Sequence, residues 1–257
     1  MATAFLIKLD QNLQLPADYN EQSVIFWNIV TLPDIYYLAI QFSSPKQDSE
    51  VETFLLQILD LKSKPIIHAE NPNTYIKSQK ELFITRIPSI LDRCTFDKLI
   101  LCFVVNEKVK ISKKYCYYSI ISDNEDDLKR LFLFLPSIPF HDYSMLVSFT
   151  CLDFPILRFS NFPVAVDIRG FLQDQLKDIT ILELGASNPK RLQKEKYANV
   201  LFDSFDVLPI VINIFNLQTV EDRTIYVNRF IEPQMKETVQ KSEVCVRNLP
   251  PDTDKTS

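Results

Sequence analysis

The sequence predicts an α/β or α+β protein, a mixed and largely antiparallel sheet of about eight to ten strands with four to five packed helices. Three observations predict it. Aromatic and β-branched runs of strand length alternate with stripes of helical spacing, and Ser/Glu pairs at capping-box spacing precede two of those stripes. The chain also holds 2 glycines against 15 prolines, so its turns are built by Pro, Asn, Asp and Ser, which need no positive φ.

The elements follow in order. Ser23 to Val30 and Ile35 to Phe42 are two strands separated by Leu32-Pro33-Asp34. Ser49 with Glu52 caps a helix over residues 49–62, where Val51, Phe54, Leu55, Ile58 and Leu59 share one face. Pro65 to His68 and Glu81 to Ile87 are strands, and Pro88 opens a short helix reaching Cys94. Lys98 to Val105, almost wholly apolar, reads as a central strand buried on both faces, paired across 106–113 with Lys114 to Ile121. Ser122 and Glu125 cap a second helix, striped by Leu128, Leu131, Phe132 and Leu135 and ended by Pro136. Met145 to Leu152 and Pro163 to Ile168 are extended, Phe171 to Lys177 is helical, and Ile179 to Leu184 is a buried strand. Asn188-Pro189 launches a charged helix toward Phe202, and Val207 to Phe215 and Thr224 to Ile231 are closing strands. The two prolines of 136–141 mark the one boundary. Residues 1–136 and 137–231 are then two halves, or one continuous domain, followed by a flexible tail over 232–257. No repeat of fixed period is read.

Composition excludes several chemistries. Loops that cradle phosphate on bare backbone amides need clustered glycines, and Gly170 and Gly185 are alone. A net charge of −5 gives no global attraction to nucleic acid or an anionic membrane. Five dispersed cysteines, no Asn-x-Ser/Thr acceptor, no signal peptide and no apolar run of membrane-spanning length imply an intracellular, cytoplasmic or nuclear protein with reduced thiols.

Site candidates are few. The two histidines, His68 and His141, stand in no metal-ligand spacing, so neither a metal nor a cofactor is expected. His141-Asp142 near Cys151 could serve a thiol nucleophile, but Cys151 lies in an apolar run where its pKa rises. Asp123, Glu125, Asp126 and Asp127 could bind a cation, or simply complement a helix N-terminus. Ile181-Leu182-Glu183-Leu184-Gly185-Ala186-Ser187 resembles the strand-to-loop motif of class I S-adenosylmethionine-dependent methyltransferases, although Ser187 and Pro189 replace further glycines. That resemblance implies a cofactor near Glu183 and Gly185; the plain alternative is a buried strand ending in a turn.

Lys190, Arg191, Lys194 and Lys196 near Tyr197, and Lys113 and Lys114 within the Lys108–Tyr118 segment, could contact nucleic acid or an acidic partner. Tyr36, Tyr37, Phe154, Arg158 and Phe159 are candidate protein-contact residues, the alternative being that they fill a core. With no catalytic signature present, the expected function is a non-catalytic subunit of an intracellular complex acting through protein–protein interfaces. A methyltransferase-like or degenerate enzyme is the first alternative, and a nucleic-acid-handling subunit the second.

Overall fold

The computed structural model describes residues 2–16, 23–33, 35–61, 64–76, 79–105, 108–114, 116–140, 144–187 and 195–231. Its strands fall into three consecutive groups. The first is β1 (Ala2–Leu9), β2 (Val24–Leu32), β3 (Ile35–Lys46), α1 (Asp48–Leu59) and β4 (Ile66–His68). The second is β5 (Glu81–Thr85), α2 (Arg93–Leu101), β6 (Lys110–Lys113), β7 (Tyr118–Ile121), α3 (Glu125–Phe134) and β8 (Leu146–Ser148). The third is β9 (Ile156–Pro163), α4 (Ile168–Gln175), β10 (Ile181–Ala186), β11 (Glu195–Phe202), α5 (Leu208–Phe215), a hairpin of β12 (Thr219–Val220) and β13 (Arg223–Thr224), and β14 (Tyr226–Arg229).

Each group forms its own antiparallel sheet of one strand order: β2-β3-β1-β4, β6-β7-β5-β8 and β10-β11-β9-β14. The second and third groups therefore run β-α-β-β-α-β, the split βαβ arrangement. The first keeps the same order with no helix among the described residues between β1 and β2. An α+β, antiparallel fold with five helices among the described residues agrees with the sequence. The single large sheet does not form; three sheets of four strands replace it. The division at 136/137 falls inside the second group, because β8 pairs with β5. The tail over 232–257 lies outside the described residues.

Helix starts are set by polar caps. The Glu50 carboxylate accepts from the Gln47 N–H at 2.8 Å, two residues ahead of the expected Ser49/Glu52 box. Asp92 caps α2 by accepting from Thr95 N at 2.7 Å, and Asn124 caps α3 by accepting from Asp126 N at 3.0 Å. The Asp92 cap makes Lys98 to Leu101 helical, where a strand was expected. Its apolar character comes from burial on two sides: Phe96, Leu99, Ile100 and Phe103 share a core with Leu82, Ile84 and Ile120 of the second sheet and with Leu6, Val30 and Ala39 of the first. Val207 to Phe215 is likewise helical, with Pro209 in the first turn and Leu208, Val211 and Phe215 buried at helical spacing. Conversely, 195–202 is strand β11, with Ala198, Val200 and Phe202 alternating inward. Residues 188–194, where that expected helix was to begin, lie outside the described residues.

The units are packed together, not strung apart. The α1 side of the first sheet buries Phe5, Ile7, Leu38 and Ile40 against Val51, Phe54 and Leu55. Its opposite face lies on α2 and α3. There the Phe26 ring sits 6.4 Å from Phe103 and 6.0 Å from Phe134, the latter two stack at 5.2 Å, and Asn28 Nδ2 donates to the Cys102 carbonyl at 2.8 Å. Arg130 of α3 pairs with Asp127, donates from Nε to the Phe103 carbonyl at 2.8 Å and lies 4.9 Å from the Phe26 ring centroid. Between the second and third units, Phe83 and Tyr117 are buried with Phe154, Ile156, Leu201 and Phe230. The Cys116 thiol donates to the Asn199 carbonyl at 2.8 Å across that junction.

Candidate functional site

A four-stranded sheet with helices on one side presents its other face, and the two central strands decide what that face offers. On the third strand of each unit, or directly before it, stands a tyrosine, and these three, Tyr37, Tyr117 and Tyr197, fall at equal intervals along the sequence. Two residues further on come Ala39, Ser119 and Asn199, and then Ile40, Ile120 and Val200. The sequence thus carries a repeat of fixed period where none was expected. The register pairs the middle positions with equivalent residues of the first strand: Ala39 with Leu6, Ser119 with Phe83, and Asn199 with Arg158.

The three faces differ in what covers them. Leu6, Tyr37 and Ala39 are buried under α2 and α3. Phe83 and Tyr117 are buried by the third unit. On the third face the central residue is Arg158, which stays partly exposed. Its row across the sheet is Gly185, Asn199, Arg158, Asn228. The guanidinium lies 4.8 Å from the Tyr197 ring centroid and 4.9 Å from that of Phe230, and its Nε donates to Asn199 Oδ1 at 2.9 Å. Those contacts hold the guanidinium in place, and its terminal nitrogens make no hydrogen bond among the described residues. Asn199, 1% exposed, has its Nδ2 buried with no partner among the described residues.

A basic strip lies on the second unit. Lys108, Lys110, Lys113 and Lys114 are exposed along and beside β6, and Lys113 and Arg93 lie 5.6 and 5.3 Å from the Tyr118 ring centroid. Lys196 is half-buried on β11. Lys190, Arg191 and Lys194 lie outside the described residues.

Other candidates are placed differently from expectation. Tyr37, Phe154 and Phe159 are core residues, 2%, 0% and 0% exposed, which removes them from any contact surface. Tyr36 packs half-buried on the α1 core. Glu183 and Gly185 sit on β10, an edge strand paired antiparallel to β11; the resembled motif needs a parallel strand leading into a helix, so the implied cofactor loop is not built. In the acidic cluster Asp123 meets Lys80 at 2.7 Å and Asp127 meets Arg130. No cluster of three or more His, Cys, Asp or Glu able to hold a metal occurs among the described residues. Cys151 is buried, while His141 and Asp142 lie outside the described residues. No helix among the described residues is long and apolar enough to cross a membrane.

No family model and no curated protein matches the sequence. Among solved structures, the chain is similar to the N-terminal three RNA-binding domains of the yeast splicing factor Prp24, at 14% identity over 90% of this chain and 99% of that one, TM-score 0.28. It is also similar to RRM domains 1 and 2 of Prp24 from S. cerevisiae, at 15% identity over 62% and 99%, TM-score 0.35. A third is the first two RRM domains of yeast poly(U)-binding protein Pub1, at 13% identity over 58% and 97%, TM-score 0.24. At such scores the superpositions carry no weight of their own. What the chain itself shows is one strand order present three times and the burial of its aromatic runs. That burial corrects the expectation of a subunit acting through those runs, since Tyr37, Phe154 and Phe159 fill cores; RNA and poly(U) binding stand in the names of the neighbours.

Proposed function

We propose that this protein binds single-stranded RNA, without catalysis, on the open sheet face of its third unit, and that it does so in the nucleus or cytoplasm. RNA-recognition domains stack bases on aromatic and Arg side chains of a four-stranded sheet. The observation that carries the reading lies on β11. The third-strand pattern of such domains, K/R-G-F/Y-G/A-F-V-x-F/Y, is met by Tyr197, Ala198, Val200 and Phe202, with Glu195 in place of the leading Lys/Arg, Lys196 in place of the glycine and Asn199 in place of the central Phe. Arg158, held against Tyr197 and Phe230, then takes the stacking role that the replaced Phe leaves vacant. The exposed Lys108–Lys114 strip supplies phosphate contacts, so a local basic surface serves a chain of net negative charge.

Fluorescence anisotropy with a labelled single strand of about 20 nucleotides tests this. Arg158→Ala and Tyr197→Ala should each cost about 1–3 kcal/mol, a loss of about five- to 150-fold in affinity. Lys113→Ala with Lys114→Ala should flatten the salt dependence, by about one in slope for each phosphate that is no longer neutralised. Wild-type affinity in both face variants, with folding intact, refutes the assignment.

A further inference from the structure

Beside the Arg158 face, a cavity of about 250 Å³ opens between the second and third units, lined by Arg86, Lys113, Tyr118, Leu182, Glu183 and Leu201 among others. It is smaller than the roughly 300–1,000 Å³ of drug-sized sites and suits one flat heterocycle. Its polar groups are underused. The Glu183 carboxylate has neither a hydrogen bond nor an ion pair among the described residues, and Lys113 is exposed and acts on it only through its field. Arg86 holds the Asp203 carbonyl through Nη2 while its Nε is buried without a partner among the described residues. Its backbone is left-handed, φ 56°, a conformation that non-glycine residues keep mainly where surroundings impose it, as at ligand clamps.

Resting on the RNA-binding reading, we propose that this cavity takes a single guanine base, with Glu183 on its Watson–Crick edge and Lys113 and Arg86 toward its phosphate. A carboxylate only accepts hydrogen bonds, so it needs a ligand edge that offers donors. Guanine presents two adjacent N–H groups, N1–H and N2–H, which a carboxylate matches in bidentate fashion. Adenine, cytosine and uracil each set one donor beside an acceptor, and that acceptor would face a carboxylate oxygen. Leu182 and Leu201 provide apolar walls for the ring faces. Burial pushes the Glu183 carboxyl above its usual range, as befits a group still lacking donors.

The test uses the full chain, titrated with GMP, AMP, CMP and UMP and with short strands differing only by one G or A. GMP and the G strand should bind at least about tenfold tighter than their A counterparts. Glu183→Gln should erase the difference without weakening the A strand, and Leu182→Trp, which fills the cavity, should block GMP while leaving the A strand bound. Equal binding of G and A, or a preference that survives Glu183→Gln, overturns the proposal. RNA binding through Arg158 with no guanine preference overturns it alone. GMP binding with no affinity for any strand keeps the cavity as a free-nucleotide site and removes the RNA-binding reading. No binding of any probe overturns both.

Discussion

Replacing Arg130 with Met should unfold the first two units together at a much lower temperature. Asp127 is 0% exposed and Arg130 7%, so their ion pair is a desolvated one. The substitution keeps apolar volume but takes the Arg130 guanidinium away from the buried Asp127 carboxylate, which also accepts from the Val105 N–H at 3.0 Å. Removing one member of a buried pair costs about 3–5 kcal/mol. For a chain of this size that corresponds to a fall in Tm of roughly 6–20 °C. The hydrogen bond to the Phe103 carbonyl and the contact with the Phe26 ring disappear as well, and they belong to the same local loss, not to a separate sum. Adding Asp127→Asn should recover part of the loss, because the stranded charge goes with it. Two probes follow the melt: far-UV circular dichroism, and the fluorescence of Trp27, the only tryptophan, which sits on β2 of the first unit. Both should shift equally, since α2 and α3 serve the cores of both sheets. A single-variant cost below about 1 kcal/mol, or a Trp27 transition that stays put while the dichroism moves, would refute the coupling.

Three further outcomes are expected. A Cβ on Gly170 would lie 2.8 Å from Asp167 Oδ2, the atom that accepts from the Gly170 N–H, so Gly170→Ala trades about 1 kcal/mol of helix propensity against a disturbed cap and should be near neutral. In an Asp167→Ala background the same change should stabilise by about 1 kcal/mol in urea titration, and equal effects in both backgrounds would remove the cap from the account. Burial pushes the Cys116 thiol up to about 12, so alkylation at about pH 8 followed by peptide mass spectrometry should label exposed Cys94 well before Cys116; early labelling of Cys116 contradicts the closed junction. Glu183, its carboxyl raised by burial, contributes stability that is present below its unfolded value of about 4.3 and is lost as pH rises through the folded value. Glu183→Gln should therefore raise Tm at about pH 7 and leave it unchanged near pH 3.5; a lower Tm at neutral pH would reverse that sign.

Helices with an apolar stripe behind a polar first turn were readable from the sequence: α1, and α3 although it serves two cores, lie within two or three residues of expectation. Elements without that signature were not. Helix α2 keeps Arg93 and Lys98 exposed while its buried Phe96, Leu99 and Ile100 meet both sheets, and the apolar run from Leu99 to Val105 has the composition of a buried strand. Helix α5 misleads through Val211, Ile212 and Ile214, β-branched residues whose strand preference yields to tertiary packing. Strand β11 was hidden by the charged residues before it, which imitate a helix start. As for the site, Arg158 stood out as an aromatic-flanked cation, but the sequence could not say that its neighbouring phenylalanines, Phe154 and Phe159, are wholly buried. Glu183 drew notice through a borrowed motif and finds its place through the neighbour that β10 faces, a contact of long sequence separation that no local pattern records.

The way the units interlock also governs how capacity scales with copy number. In a beads-on-a-string array, each added module brings one more free surface, and avidity grows with the count. Here the helices of the second module consume the face of the first, and the third module consumes much of the face of the second. Three copies thus yield one terminal surface and one seam, and lengthening such a chain by another module packed in the same manner would move the open face along without adding a second.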